Sequence, residues 1–404
     1  MSENLFGIDS IINSALRPKG WIDTLSLLQL FNEKLFELGL SKNQALKIME
    51  IEAKSFDSFM QGESTKIDFL TLKKLSRFLE IAPSVFIDKF LAKITNENSS
   101  DLEKINTRLF MAKHFDLESL RTAGLIERVN DFDHIEERIL KFFGYKTIFE
   151  FKNDIEVPVY SSGKIVSNEK TLKFWVNLAY ATFEKMSNPY EYDRQALVRL
   201  FPSLRAYTLN VESGLRQVFK LLYKVGVTVI FIPKNNKNLH IRAATFCINE
   251  KPCIAITNYR DLYPTLWFSL FHELYHVLYD WDEISKIDGH GHVSAGMSTG
   301  IIDEDAANQF AARYLFDDEK MQEIEPFIDK PSYVAKFARS YNVHESIVYA
   351  LYTYKYATAD NKIFGKYLHF MKKPEQAIEA FNPSQYDTFN PIPEIAKRTM
   401  SLIN

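Results

Sequence analysis

The stretch 264–280, PTLWFSLFHELYHVLYD, limits the architecture of this 404-residue chain more than any other segment. Leu266, Leu270, Leu274, Val277 and Leu278 recur at helical spacing and form an apolar stripe, so the segment reads as a largely buried helix. Pro264 suits its first turn, and Asp261 just before it is placed as a cap. The same helix carries His272, Glu273 and His276. The two histidines stand four apart and project from one face about one turn apart, with Glu273 slightly aside. Two imidazoles and a carboxylate beside an apolar stripe are costly to bury without a partner.

A metal ion is the partner this spacing fits. Two imidazoles one turn apart can reach one ion, and the neighbouring glutamate can hold a water without ligating. A Lewis-acidic metal lowers the pKa of water from ~16 to about 7. A carboxylate in hydrogen-bond reach then moves the proton from the attacking water to the leaving amine of a cleaved amide. By chance the HExxH pattern arises in on the order of one per cent of chains with this histidine content, so the buried setting adds weight.

A tetrahedral site wants a third protein ligand. Downstream lies DEDAANQFAA, 303–312, again helical, with Asp303 as an expected N-cap. Ala307 and Ala311 are small and four apart, which permits close packing on another helix. Glu304 and Asn308 share that spacing. Glu304 is the expected third ligand, because His2Glu plus water is an established catalytic zinc set. Asp303 and Asp305 are the alternatives in the same turn. Asn308 is expected to orient one of the histidines as a hydrogen-bonding acceptor.

Around this centre the pattern predicts an α+β chain, mostly helical. Amphipathic helices are expected over 172–185 and 214–225, followed by a strand at 227–232. Two further strands, 244–248 and 253–257, flank a turn at Asn249-Glu250-Lys251-Pro252. This order gives a small antiparallel or mixed sheet rather than a doubly wound one. Helical patterns then run to the C-terminus. The division expected is 1–94, a helical domain; 95–168, a helical linker region with polar Asn96-Glu97-Asn98-Ser99-Ser100 at its start and two short extended runs at 157–166; 169–330, the metal-site domain; and 331–404, a helical extension.

The first hundred residues read as five short helices. Leu25, Leu28, Phe31, Leu35 and Leu38 mark the first, closed by Gly39, and Ser41 caps the next. Gly62 ends the third, and Ala82-Pro83-Ser84 opens the fifth. Residues 23–92 resemble the helix-turn-helix domain of phage-repressor-like (XRE) regulators, on Leu40-Ser41-Lys42 through Ala45, Gly62, and Leu72 through Leu79. That resemblance implies DNA contacts from Lys54, Ser55, Ser58 and Gln61. Charge argues the other way: residues 1–93 hold 12 Lys+Arg and 12 Asp+Glu, a net of zero, and Asp57 lies among the candidates. DNA binding and protein docking both stay open for this domain.

WFSLFHELYHVL, followed by Glu304-x-x-Ala307-Asn308-x-Phe310-Ala311, resembles the ImmA/IrrE metallo-endopeptidase family. Gly226 with VTVIFI, the hairpin ending in CIAITN, and Val343-His344-Glu345-Ser346-Ile347-Val348 also match its layout, over about residues 170–355. The resemblance implies a gluzincin-like (zincin-like) fold, zinc as the metal with manganese as the alternative, and cleavage of helix-turn-helix repressors in stress response or mobile-element control. Members often pair with a repressor-like domain. Tyr275 stands where that family has a small residue, and it narrows the site or supplies a hydroxyl. Phe316-Asp317-Asp318-Glu319 likewise departs from the usual Met-Pro.

The loop Gly289-His290-Gly291-His292 through Gly300 reads as an exposed flexible loop, with His290 or His292 as candidate transition-state contacts. His344 and His369 read as packing or surface residues, and Lys366, Lys372 and Lys373 as a thin solvated cluster. Cys247 and Cys253, the two cysteines, are expected to be buried free thiols. The N-terminus has no signal-peptide pattern and no run approaches ~20 apolar residues, so no membrane is expected and a cytoplasmic location is. The expectation is an intracellular metal-dependent endopeptidase acting on a protein substrate, with a homodimer left open. The alternative is a DNA-binding or antitoxin-like regulator whose metal domain senses or binds a partner without turnover.

Overall fold

The computed structural model describes residues 25–61, 68–91, 96–152, 168–234, 239–286, 292–293, 304–356, 362–382, 386 and 389–404. Contacts divide the chain into Met1–Thr107 and Arg108–Asn404.

The first unit is built from α1 Leu27–Leu38, α2 Lys42–Met49, α3 Ala53–Gln61, α4 Phe69–Phe78 and α5 Pro83–Leu91. Its helix ends are written in short-range chemistry. Gly39 adopts the left-handed φ of 64° that ends α1, and Ser41 forms a capping box with Gln44 at the start of α2. Phe31, Ala45, Phe56, Leu75 and Phe86 meet in its own apolar core. The Gly62 end of α3 lies outside the described residues.

Helix α6, Asn96–His114, replaces the linker expected at residues 96–100. Its sequence, rich in Asn, Glu and Ser, has little helical apolar pattern, and that is why it reads as a connector. The extended runs at 157–166 lie outside the described residues.

The second unit continues with α7 Leu117–Ala123, α8 Phe132–Phe143, α9 Glu169–Met186, α10 Arg194–Leu204 and α11 Gly214–Lys224. Gly226, with φ of 83°, then turns the chain into the sheet; a Cβ there would meet the backbone of Glu191 and Tyr192 at 2.4 Å. The strands are β1 Thr228–Phe231, β2 Ala243–Ile248, β3 Lys251–Ile256 and the short β4 His292–Val293, in the order β1-β3-β2-β4. β1 runs parallel to β3, and β2 antiparallel to both β3 and β4, so the sheet is mixed. Asn249 and Glu250 alone make the hairpin turn, both at positive φ, while Lys251 and Pro252 already belong to β3.

The cysteines are free, Cys253 buried and Cys247 partly so. Cys247 pairs with Pro252 and Cys253 with Phe246, which puts the two thiols on opposite faces of the hairpin. Burial pushes the Cys253 thiol well above its ordinary range.

Helix α12, Tyr263–Tyr279, packs on β2 and β3 and against α14, Glu304–Leu315, with α13 Trp281–Ile284 following it directly. The rest is helical: α15 Asp318–Ile324, α16 Pro331–Ser340, α17 Glu345–Tyr356, α18 Lys362–Tyr367, α19 Glu375–Ile378 and α20 Ile392–Ile403. One apolar core holds Met111, Phe142, Trp175, Leu270, Ile347 and Ile395 together. It does not follow the segment lines drawn at 168 and 330, because α20 lays its apolar face on α9. No helix among the described residues is long and apolar enough to cross a membrane.

Candidate metal centre

Helix α12 is fixed at both ends by partners from distant sequence. At its start Leu262, not Asp261, is the capping residue, and the Tyr263 N–H donates to the Lys372 carbonyl at 2.9 Å. Asp261 instead pairs with Lys373 at 3.3 Å. At its end the Tyr192 hydroxyl donates to the Val277 carbonyl at 2.9 Å, and Arg194 donates twice to that of Leu278. These donors satisfy carbonyls that a helix terminus otherwise leaves without partners. Ala307 and Ala311, both fully buried, let α14 approach α12 closely.

That approach brings the three expected ligands together. Ligand atoms of His272, His276 and Glu304 lie within 4.8 Å of one another, and all three residues are buried. The Nε2 atoms of His272 and His276 are 3.2 Å apart. Glu304 sets one carboxylate oxygen 3.1 Å from His272 Nε2 and the other 3.5 Å from His276 Nε2. Ligand atoms 2.0–2.1 Å from a tetrahedral zinc sit about 3.3 Å apart, so these separations suit one ion. The donor set of two imidazoles and a carboxylate suits zinc as well.

The neighbouring groups complete the arrangement. Glu273 is fully buried, and its Oε2 accepts a 2.6 Å hydrogen bond from Thr245 on β2. Its Oε1 has no hydrogen-bond partner among the described residues, which leaves one oxygen of a buried carboxylate uncommitted. Such an oxygen is costly unless something polar meets it.

His276 Nδ1 lies 2.7 Å from Asp280 Oδ2. This carboxylate takes the orienting position expected of Asn308, whose Oδ1 is buried without a hydrogen-bond partner among the described residues. The reason is geometric: Asp280 caps α12 four residues after His276 and reaches back one turn, whereas Asn308 approaches from another helix. The sequence held that signal in the His276–Asp280 spacing. Thr245 gave none, since its reach to Glu273 depends on how β2 lies over α12.

Tyr275 is half-buried and packs its ring on Tyr279 and Phe310, with centroids 4.8 and 5.5 Å away. The backbone of His292 pairs with Thr245 in β4, beside the strand residue that holds Glu273. A strand therefore interrupts the expected loop; His290 lies outside the described residues. His344 is a packing residue, its ring 5.5 Å from that of Tyr263, and burial lowers its pKa against the opposing pull of Glu345. Lys366 and Lys373 are paired with Asp329 and Asp261. In the first unit Lys54 and Ser55 are exposed, Ser58 is half-buried, and Asp57 is bound to Lys42. Gln61 closes α3.

A family model described as a peptidase, the IrrE N-terminal-like domain, matches residues 223–350. That span takes in the sheet, α12 and α14, roughly a third of the chain, and supports a metallopeptidase-type function. No curated protein and no solved structure gives a significant match.

Proposed function

We propose that this chain is a zinc-dependent endopeptidase, with manganese as the alternative ion, held by His272, His276 and Glu304. The observation that carries the proposal is the meeting of three buried ligand atoms at tetrahedral separations, beside a buried glutamate with one uncommitted oxygen. A metal held there supplies Lewis acidity toward the scissile carbonyl. Glu273 does the proton work. Thr245 fixes its Oε2, so Oε1 faces the reacting water, accepts its proton and passes it to the leaving amine. Asp280 holds the His276 ring so that Nε2 points at the shared centre.

We extend the proposal to a protein substrate such as a helix-turn-helix repressor, inside the cell, with α1–α5 docking DNA or that repressor and a homodimer as a further assembly. The test is Glu273→Gln in the full chain. Metal content stays at the wild-type level while cleavage of a co-expressed repressor is lost; unchanged cleavage sinks the assignment. The second reading, a regulator that binds metal without turnover, draws on the exposed Lys54 and Ser55 of α3. It requires specific binding of the protein's own promoter DNA at moderate salt, and absence of such a complex rejects it.

A further inference from the structure

Most of α12 is buried, and what remains open to solvent is one narrow stripe. Thr265, Phe268 and Tyr275 are half-buried and Tyr279 is exposed, at spacings that run through His272. Residues three and four apart share a helix face, so these side chains lie on the face of α12 that also carries His272. On the Tyr275 side this face is covered by aromatic rings, with Phe310 tilted against Tyr275 and edge-on to Tyr279. At the Phe268 end the same face borders a pocket.

That pocket is lined by Thr265 and Phe268 of α12, with Leu262, Leu351, Phe364 and Met371 supplying apolar walls. The Phe268 ring lies 6.4 Å from both His272 and Tyr354, so one aromatic wall belongs to the pocket and touches the metal centre. Arg242 and Arg260 also line it. Arg242 leads into β2, the strand that carries Thr245, and neither guanidinium has a carboxylate partner among the described residues.

Arg260 is held in an expensive conformation. It and Asp261 are both left-handed, with φ of 61° and 55°, which costs a non-glycine residue roughly 1–2 kcal/mol. The turn is tied down by Asp261 N–H to the Asn258 carbonyl, by Tyr259 N–H to Thr257 Oγ1, and by Lys373 on Asp261. Strain retained in a fastened turn at the edge of this pocket points to a role for the side chain it presents.

We propose, resting on the peptidase reading, that this pocket selects the substrate. It takes a large apolar side chain, and Arg242 and Arg260 take a carboxylate next to it. Phe268 stands one turn from His272, about 6 Å along the helix, which an extended peptide covers in one to two residues. The substrate is therefore a peptide with a large apolar residue one or two positions from the scissile bond, flanked by an acidic side chain or a free C-terminus.

The test is binding of labelled peptides to the full-length, metal-loaded Glu273→Gln protein, read by fluorescence anisotropy. The probe is a C-terminally amidated heptapeptide with a central Phe-Glu pair in a Gly-Ala background. Replacing its Phe by Gly weakens binding about tenfold, as expected for loss of a large apolar side chain from a matching pocket. Replacing its Glu by Gln weakens it about five- to tenfold, and this second loss vanishes in the Arg242→Ala/Arg260→Ala variant. A Gln peptide ending in a free carboxylate one residue after Phe separates the two acid sources: recovery identifies a C-terminus, no recovery a side chain. Equal binding across the series, no measurable binding at all, or an unchanged Glu preference in the arginine variant overturns the proposal. If this pattern holds but the wild type cleaves no protein, the peptidase reading fails and the pocket stands. Metal-dependent cleavage indifferent to Phe and Glu overturns the pocket alone.

Discussion

Helices α12 and α3 both carry candidate functional residues, and they differ in what those residues cost the fold. In α12, His272, Glu273 and His276 are 5% exposed or less, inside a segment dominated by Leu, Phe, Trp, Tyr and Val. Polar groups so placed have to be met by a partner, so their presence alone is evidence. In α3, Lys54 and Ser55 are exposed and Asp57 is bound by Lys42, as on any solvated helix face. Nothing there strains the fold, and nothing demands a ligand. Function is legible in the first helix because it is expensive, and illegible in the second because it is free.

The largest expected effect falls on the expensive side. If the proposed centre holds the metal, His272→Ala removes one of its three ligands and lowers metal affinity by more than about 100-fold, beyond the range of losses from outer partners. Metal content after dialysis against a weak chelator checks this. Wild-type content in the variant would mean that the three residues meet for structural reasons only.

Asp280→Ala tests whether the cost is shared one shell out. Its carboxylate fixes the His276 ring, and loss of such a partner lowers metal affinity about 10- to 100-fold. Competition with a chromogenic chelator measures it, and Asn308→Ala serves as the contrast, with a change of less than about threefold since its Oδ1 reaches neither histidine. Equal losses in the two variants would restore Asn308 to the orienting role.

Ser41→Ala moves the comparison into the first unit. The capping box at the start of α2 is worth ~1 kcal/mol, seen as a lower urea midpoint for that unit, with zinc affinity unchanged. A fall in zinc affinity would show that the two halves are energetically coupled.

What sequence alone could deliver follows the same division between local and distant causes. The end of α1 and the starts of α2 and α5 were readable because Gly39, Ser41 and Pro83 act on their immediate neighbours. The hairpin was readable from the run Asn249 to Pro252, and the cluster of His272, His276 and Glu304 from two spacings of four. Helix α6 was not, since its polar start carries no apolar period to mark it. Thr245 under Glu273, and α20 lying on α9, depend on packing between residues far apart in the chain. Asp280 falls between these cases: the spacing was present, but a terminal aspartate after a long apolar helix reads first as a cap.

The smallest effect is the one that decides what α3 is for. Lys54→Ala removes an exposed side chain with no ion pair to a described residue, so stability changes by less than about 0.5 kcal/mol. The same change has a second readout that stability does not touch. If α3 lies against a DNA backbone, each lost phosphate contact lowers the slope of log K against log salt by about one. A titration of promoter DNA at several salt concentrations therefore separates the two roles of this unit. A slope reduced in Lys54→Ala makes α3 a DNA-facing helix despite its zero net charge. A wild-type slope near zero removes DNA from the account and leaves the five-helix unit as a protein-docking surface, with its apolar rather than its basic residues as the next to vary.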